Sequence, residues 1–308
     1  MSGMVTEFLV VADQIFVLVL LIAAGYVAVS TKIMDPGATR GLSALLFNIT
    51  IPALIVSAMQ VPFTSERLAD TGTMLLATGA FFALSFVVAR IASRTMAVAP
   101  QKRGVFEFAI VFGSVSFMGF PVARALLGTG SLFYVALFNI VFNILLFSAG
   151  IAMLAGEKGF DPRLLANPGI VATIAGFLLF LASVEIPSPF IDAIDLLGGV
   201  TTPIAMIIVG AMLATLPARE MVGNWRVWAT SAVILIALPV AYCCLLSTIF
   251  PDPLINGTMI MMAAMPAAAG TPVFAEQCGA DARLASQIVF VSTIGSLVTI
   301  PLVATVLL

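Results

Sequence analysis

The chain has 308 residues, of which 61% are apolar and only 9% charged, with a formal net charge of −2 and a mean hydropathy of +1.18. A water-soluble domain covers its surface with roughly 25% charged residues, so the solvent around this chain is predicted to be lipid. The charge balance offers no basic surface for nucleic acid, and the lack of histidine removes the usual neutral-pH acid/base and metal ligand.

A helix crosses a bilayer core with about 20 apolar residues. In chain order the sequence predicts spans near residues 8–30, 41–60, 71–93, 104–127, 131–154, 167–184, 192–216, 227–250, 254–278 and 284–307. No positively charged segment precedes the first, which is therefore expected to be a retained helix and not a cleaved signal. The connecting loops are short and hold nearly all the charges, and no soluble domain is inserted. Cys243, Cys244 and Cys278 lack a metal-binding spacing and are expected to pack as small apolar residues.

Lysine and arginine in short loops are retained on the cytoplasmic side. With the N-terminus outside, the inner loops hold Lys32, Arg40, Arg90, Arg94, Lys102, Arg103, Lys158, Arg163, Arg219, Arg226 and Arg283, which is all but two of the 13 basic residues. The outer loops hold only Arg67 and Arg124. That bias predicts a multi-pass protein of the cell (inner) membrane with both termini on the non-cytoplasmic side.

The sequence also repeats itself. Sliding it by 151 residues, without a gap, places Ala24-Gly25 on Ala175-Gly176, Pro36 on Pro187, Thr50 on Thr201 and Pro52 on Pro203. Gly119-Phe-Pro121-Val122 falls on Gly270-Thr-Pro272-Val273, and Gly128 on Gly279. Five helices per repeat is an odd number, so the second repeat must enter the membrane from the opposite side. The expected fold is all-α and integral to the membrane: ten transmembrane helices as two inverted five-helix repeats, residues 1–155 and 156–308, within one membrane domain. Many secondary transporters use this arrangement for alternating access.

Spans four and nine each carry Gly-x-Pro in mid-membrane, where proline removes a backbone donor and glycine tolerates unwinding. Residues 105–114 make about 15 Å of helix, half the hydrocarbon thickness. Ser114–Gly119 is then expected to be unwound, with Pro121 starting a new half-helix. Pro266, Gly270, Thr271 and Pro272 repeat the pattern in span nine. Helix starts at Pro121 and Pro272 would aim free N–H groups at the midplane and favour an anion, while the preceding helix ends would offer carbonyls to a cation. The alternative is a pair of kinks in packed helices.

Asn48 and Thr50 before Pro52, and Thr201 and Thr202 before Pro203, bring matched polar steps to mid-depth; site lining and helix–helix hydrogen bonding are both open. The same choice applies to Asn139 and Asn143 on one face of span five. Neither break contains a carboxylate. Glu107, one turn beyond Arg103, is expected to pair with it near the cytoplasmic surface. Asp13, a third of the way into span one, sits either in the cavity or at the interface. These two acids are the coupling-ion candidates.

Phe47–Leu54, Phe117–Ala123, Thr202–Met206 with Gly210, and Met265-Pro-Ala with Val273–Glu276 together resemble the auxin efflux carrier family over essentially the whole chain. The family belongs to the bile/arsenite/riboflavin transporter superfamily, and the lack of a large loop between spans five and six is similar to its compact prokaryotic members. The resemblance implies that helices four and nine cross, that a transport domain moves against a scaffold domain in an elevator-like manner, and that the protein forms a homodimer. It also implies an organic-anion substrate: auxin in plant members, malate, malonate and similar acids in bacterial ones. The plant carriers have asparagine where this chain has Ser114, which shortens the main side-chain contact to the carboxylate.

The expectation is therefore a carrier of small organic anions, mono- or dicarboxylates, with no cofactor and no bound metal, bound at Ser114, Ser116, Gly119, Pro121, Pro266, Gly270, Thr271 and Pro272, flanked by Asn48, Thr50, Thr201 and Thr202. Na+ or H+ is the possible coupling ion. A sodium-coupled bile-acid-like symporter is the alternative, since carbonyl and hydroxyl oxygens suffice for sodium. A sodium/proton antiporter of similar fold would keep carboxylates at the crossing, and an enzyme would need paired acids or an activated nucleophile. A non-transporting membrane sensor would bind the ligand without flux.

Overall fold

The computed structural model describes residues 2–155, 168–215 and 224–307, and everything it describes is helix or connection, without a β-sheet. Among the described residues twelve helices are distinguished: α1 Ser2–Ser30, α2 Pro36–Met59, α3 Ser65–Thr95, α4 Pro100–Val111, α5 Val115–Leu127, α6 Ser131–Leu154, α7 Pro168–Leu181, α8 Phe190–Thr215, α9 Trp225–Leu245, α10 Pro253–Ala263, α11 Thr271–Gln277 and α12 Ala282–Leu307. Six of them (α2, α3, α6, α8, α9 and α12) are long and apolar enough to cross a membrane. The Phe16–Ser30 part of α1, α5, α7 and α10 are shorter apolar helices. Each span expected from hydropathy falls on one helix, except that spans four and nine each fall on a pair, α4–α5 and α10–α11. The loop charges Glu157, Lys158, Asp161, Arg163, Arg219 and Glu220, with Pro162, lie outside the described residues.

The polar residues between spans act as helix stops and starts. Asp35 accepts from the Ala38 N–H at 2.6 Å to open α2, and Thr64 accepts from Arg67 N–H at 3.1 Å to open α3. Asn224, Asp252 and Asp281 do the same for α9, α10 and α12. Each oxygen satisfies an N–H that has no partner within its own helix. Proline stands in the first turn of α2, α4 and α10, where its missing donor costs nothing.

Two packing groups result. In one, α1 lies along the Thr201–Thr215 half of α8, and the Ile51–Met59 half of α2 lies against α7 and the start of α8. In the other, α3 to α6 pack with α9 to α12. Close backbone approach in the first group is permitted by glycine. A Cβ on Gly25 would collide with the Ile207 carbonyl, and one on Gly176 would come within 3.0 Å of Met59 and 3.6 Å of Val56. Val56 and Ile207 are separated by the same interval as Gly25 and Gly176. Thr201 Oγ1 donates to the carbonyl of Thr50 at 2.9 Å, 151 residues away.

Contacts between connections fall into two sets. Lys102 and Asp281 pair at 3.0 Å, and Arg226 Nε donates to the Met96 carbonyl at 2.9 Å. At the other ends of the helices, Ser57 donates to Asp195 at 2.5 Å, Tyr134 to Asp70 at 3.1 Å, and the Ile186 N–H to Gln60 at 2.8 Å.

Candidate functional site

The two interrupted helices meet backbone to backbone. Gly113, between α4 and α5, and Ala267, between α10 and α11, form an isolated antiparallel bridge. The Ser114 N–H donates to the Pro266 carbonyl at 2.7 Å, and the Ala268 N–H donates to the Phe112 carbonyl at 3.0 Å. Ser292 Oγ of α12 accepts from the Ala267 N–H at 3.2 Å. Backbone groups freed by one break are thus satisfied by the other, which is how a non-helical backbone survives in an apolar interior. The approach leaves room at 113 for a Cβ at contact distance, 3.4 Å from the Met265 and Pro266 carbonyls, and crowds anything larger.

The first break lies earlier than expected. The unwound residues are Phe112–Ser114, and helix resumes at Val115, whereas the sequence placed the unwinding at Ser114–Gly119 and the restart at Pro121. The Ser114 carbonyl accepts from both Met118 and Gly119 N–H groups, at 2.9 and 3.2 Å, in a wide turn with five-residue spacing. Proline lacks only its own N–H, so a widened turn ahead of Pro121 accommodates it without ending the helix. In the second break, helix stops at Ala263 and resumes at Thr271, in agreement with the sequence reading. The bridge joins residues 154 apart in number, three more than the repeat interval.

A cavity of about 400 Å³ opens beside the crossing. Gly113, Ser114, Ser116, Ala268, Ala269 and Gly270 line it from the breaks, Ser43 and Phe47 from α2, Phe142, Asn143 and Phe147 from α6, Met212 from α8 and Phe274 from α11. A second chamber of about 160 Å³ lies alongside, lined by Ser114, Met118, Val209, Met212, Leu213, Thr215, Ala269, Pro272, Val273, Ser286, Val289 and Thr293. No acid or base among the described residues lines either space. Their polar groups are hydroxyls, one amide, and the backbone of the breaks.

The expected site residues divide accordingly. Ser114, Ser116 and Gly270 line the main cavity and Pro272 the second chamber. Gly119, Pro121 and Thr271 are buried behind the wall; Thr271 Oγ1 closes onto the Ala268 carbonyl at 2.6 Å. Pro266 contributes its carbonyl to the bridge. Thr50 and Thr201 bond each other at the α2–α8 contact, and the Thr202 hydroxyl is buried with no partner among the described residues. Asn48 is exposed and donates to the Ala44 carbonyl of its own helix at 2.8 Å. Asp13 is exposed on α1. The asparagines of α6 split their roles: Asn139 accepts from Ser116 at 2.7 Å and ties α6 to α5, while Asn143 faces the cavity.

Glu107 does not pair with Arg103. Its carboxylate accepts from Arg90 Nη1 at 3.1 Å and Ser93 Oγ at 2.5 Å, both on α3, and Arg103 turns back to the Val98 carbonyl at 3.3 Å. Packing of α3 beside α4 buries Glu107 against residues one turn apart on the neighbouring helix, a closer partner than the next turn of its own.

The residues that sequence reasoning missed are mainly apolar. Phe47 and Phe117 stack edge to face at 4.7 Å at the cavity, and Phe147 and Phe274 at 6.0 Å. With 23 phenylalanines in the chain, none was distinctive in itself. Met212, Ser43 and Ser286 likewise carried no local signal.

The family model described as "Membrane transport protein" matches residues 10–162 and 160–304. A protein of Rhizobium meliloti (strain 1021) named "Putative malonate transporter" is 26% identical over 299 residues, covering 91% of this chain and 90% of its own. The chain is a multi-pass membrane protein that belongs to the membrane transport protein family, that of the auxin efflux carriers its span-two and span-four motifs resemble.

Proposed function

We propose that this protein is a secondary-type transporter of small organic anions, mono- or dicarboxylates, that binds its substrate in the cavity at the helix crossing and moves it by alternating access. The observation that carries this reading is the cavity of about 400 Å³ bounded by both breaks, with Ser114, Ser116, Asn143 and the start of α11 around it. The first-turn N–H groups of α5 have no partner within their own helix and carry the positive end of the peptide dipoles; at the start of α11 the Thr271 N–H donates to the Ala268 carbonyl at 2.9 Å and Pro272 has no N–H. Fixed neutral donors of this kind hold a carboxylate without a permanent cation, which would make release slow. The name of the Rhizobium meliloti relative makes malonate the first acid to test.

The reading includes ten spans in two inverted five-helix repeats, residues 1–155 and 156–308. Support comes from the matched contacts of Gly25 with Ile207 and Gly176 with Val56, and from the Thr201–Thr50 bond. Both termini lie on the non-cytoplasmic side in this scheme; the sorting of Lys102–Asp281 and Arg226–Met96 to one end, and Ser57–Asp195 and Tyr134–Asp70 to the other, fits it. Na+ or H+ remains the coupling-ion proposal, with Asp13 and Glu107 as the acids to test, and a homodimer the assembly. Purified protein in liposomes tests the whole: saturable uptake of labelled malonate, malate or a monocarboxylate is expected. Binding without flux would replace the transporter with a sensor, and strict sodium dependence would favour the bile-acid-like symporter.

A further inference from the structure

The two spaces at the crossing share only four wall residues: Ser114, Met212, Ala269 and Val273. Three of them belong to the breaks or to α11 and have short side chains. The fourth, Met212, comes from α8, in the other packing group, and is the one long side chain that faces both spaces. Its neighbour Leu213 faces the second chamber alone. Methionine is unbranched and turns about three bonds, so its position is set by packing and is easily altered.

Resting on the transport reading above, we propose that Met212 is the partition between the two chambers and sets the upper size of the substrate. With Met212 in place, an acid occupies the space of about 400 Å³; with it removed, the adjoining space of about 160 Å³ becomes available to a substituent on the acid. The second chamber is walled mainly by Met118, Val209, Leu213 and Val289, so the substituent it accepts is an alkyl or aryl group. The acid head keeps its place against Ser114 at the common wall. Size selection by one side chain is a matter of van der Waals space, and each methylene that fits or fails to fit changes the transport ratio roughly tenfold or more.

The test uses full-length protein in liposomes and a series of constant charge: malonate, ethylmalonate, butylmalonate and benzylmalonate, each measured by inhibition of labelled malonate uptake and by direct flux. Wild-type protein is expected to disfavour the members progressively with size. Met212→Ala is expected to raise the butylmalonate-to-malonate ratio about tenfold. Leu213→Trp, which fills the second chamber, is expected to bring that ratio back to the wild-type value when added to Met212→Ala. Met212→Leu, which keeps most of the volume, supplies the comparison if Met212→Ala is poorly folded: it should retain the wild-type ranking, and Met212→Val should relax it in part. An unchanged ratio in Met212→Ala and Met212→Val, in protein that still carries malonate, overturns this inference and leaves the transport reading standing. If no acid moves in wild-type protein, the transport reading falls and this inference with it.

Discussion

The Ser114 N–H and the Pro266 carbonyl are 2.7 Å apart, a main-chain hydrogen bond between two helices that the sequence separates by half its length. With its partner bond from Ala268 to Phe112, it makes the crossing a fixed point in which neither break can shift without the other. A residue that forces the chains apart should therefore disable the site without preventing insertion. Gly113→Ala is expected to be tolerated, since its carbon would rest 3.4 Å from Met265 and Pro266. Gly113→Leu overfills the contact by about 1–3 kcal/mol, and flux per inserted protein should fall about tenfold or more.

The glycines of the first packing group give a stability prediction. Gly25 and Gly210 lie where an added Cβ would collide with the carbonyls of Ile207 and Ile22, whereas Gly41 has open space around it. Gly25→Ala and Gly210→Ala should each destabilise by about 1–3 kcal/mol, seen as a lower melting temperature in detergent. Gly41→Ala should melt at or slightly above the wild-type value, because alanine is the better helix former.

Glu107 and Arg90 differ in burial, and that asymmetry orders their variants. The Glu107 side chain is 11% exposed and that of Arg90 51%. Arg90→Ala strands a buried carboxylate with only Ser93 to hold it, while Glu107→Ala returns the guanidinium to water. Arg90→Ala should cost about 1–3 kcal/mol and more than Glu107→Ala; chemical denaturation or thermal melting would rank them.

The Lys102–Asp281 pair lies at the helix ends outside the spans. Burial by itself would raise the Asp281 pKa, but the Leu284 N–H and the Lys102 ammonium together lower it below its ordinary value. A carboxyl with a depressed folded pKa adds stability above its unfolded pKa and loses it as pH falls through the folded one. Acid destabilisation is thus expected below the ordinary aspartate value of 3.8, and Lys102→Met, which brings the folded pKa back toward the unfolded one, should reduce the stability lost there. Melting curves from pH 6 to 3 would show it.

How much of this was legible in the sequence depends on the kind of residue. Gly25, Thr50, Gly176, Thr201, Gly270 and Pro272 stood out because glycine, proline and polar residues are scarce in lipid-facing helices and have few uses there. The second break could be located, since Pro266 and Gly270 both fall within the interruption between Ala263 and Thr271. In the first, Pro121 pointed too far along: proline marks a missing donor, and the wide turn at Val115–Gly119 absorbed that loss before it could end the helix. Glu107 was misassigned to Arg103 because sequence spacing reports neighbours within a helix, and Arg90 reaches it only through tertiary packing. The cavity roles of Phe47, Phe117 and Met212 could not be read, although the first two open motifs of the resemblance: in an apolar chain, a residue lining a cavity and one facing lipid look alike.

The central claim is that organic anions pass through the crossing, and labelled malonate uptake by wild-type and Gly113→Leu protein in liposomes tests it most directly. Saturable uptake by wild-type protein, lost in Gly113→Leu protein that is inserted in equal amount, is the expected result. Absence of saturable uptake across a panel of mono- and dicarboxylates, or equal uptake by both proteins, would contradict it.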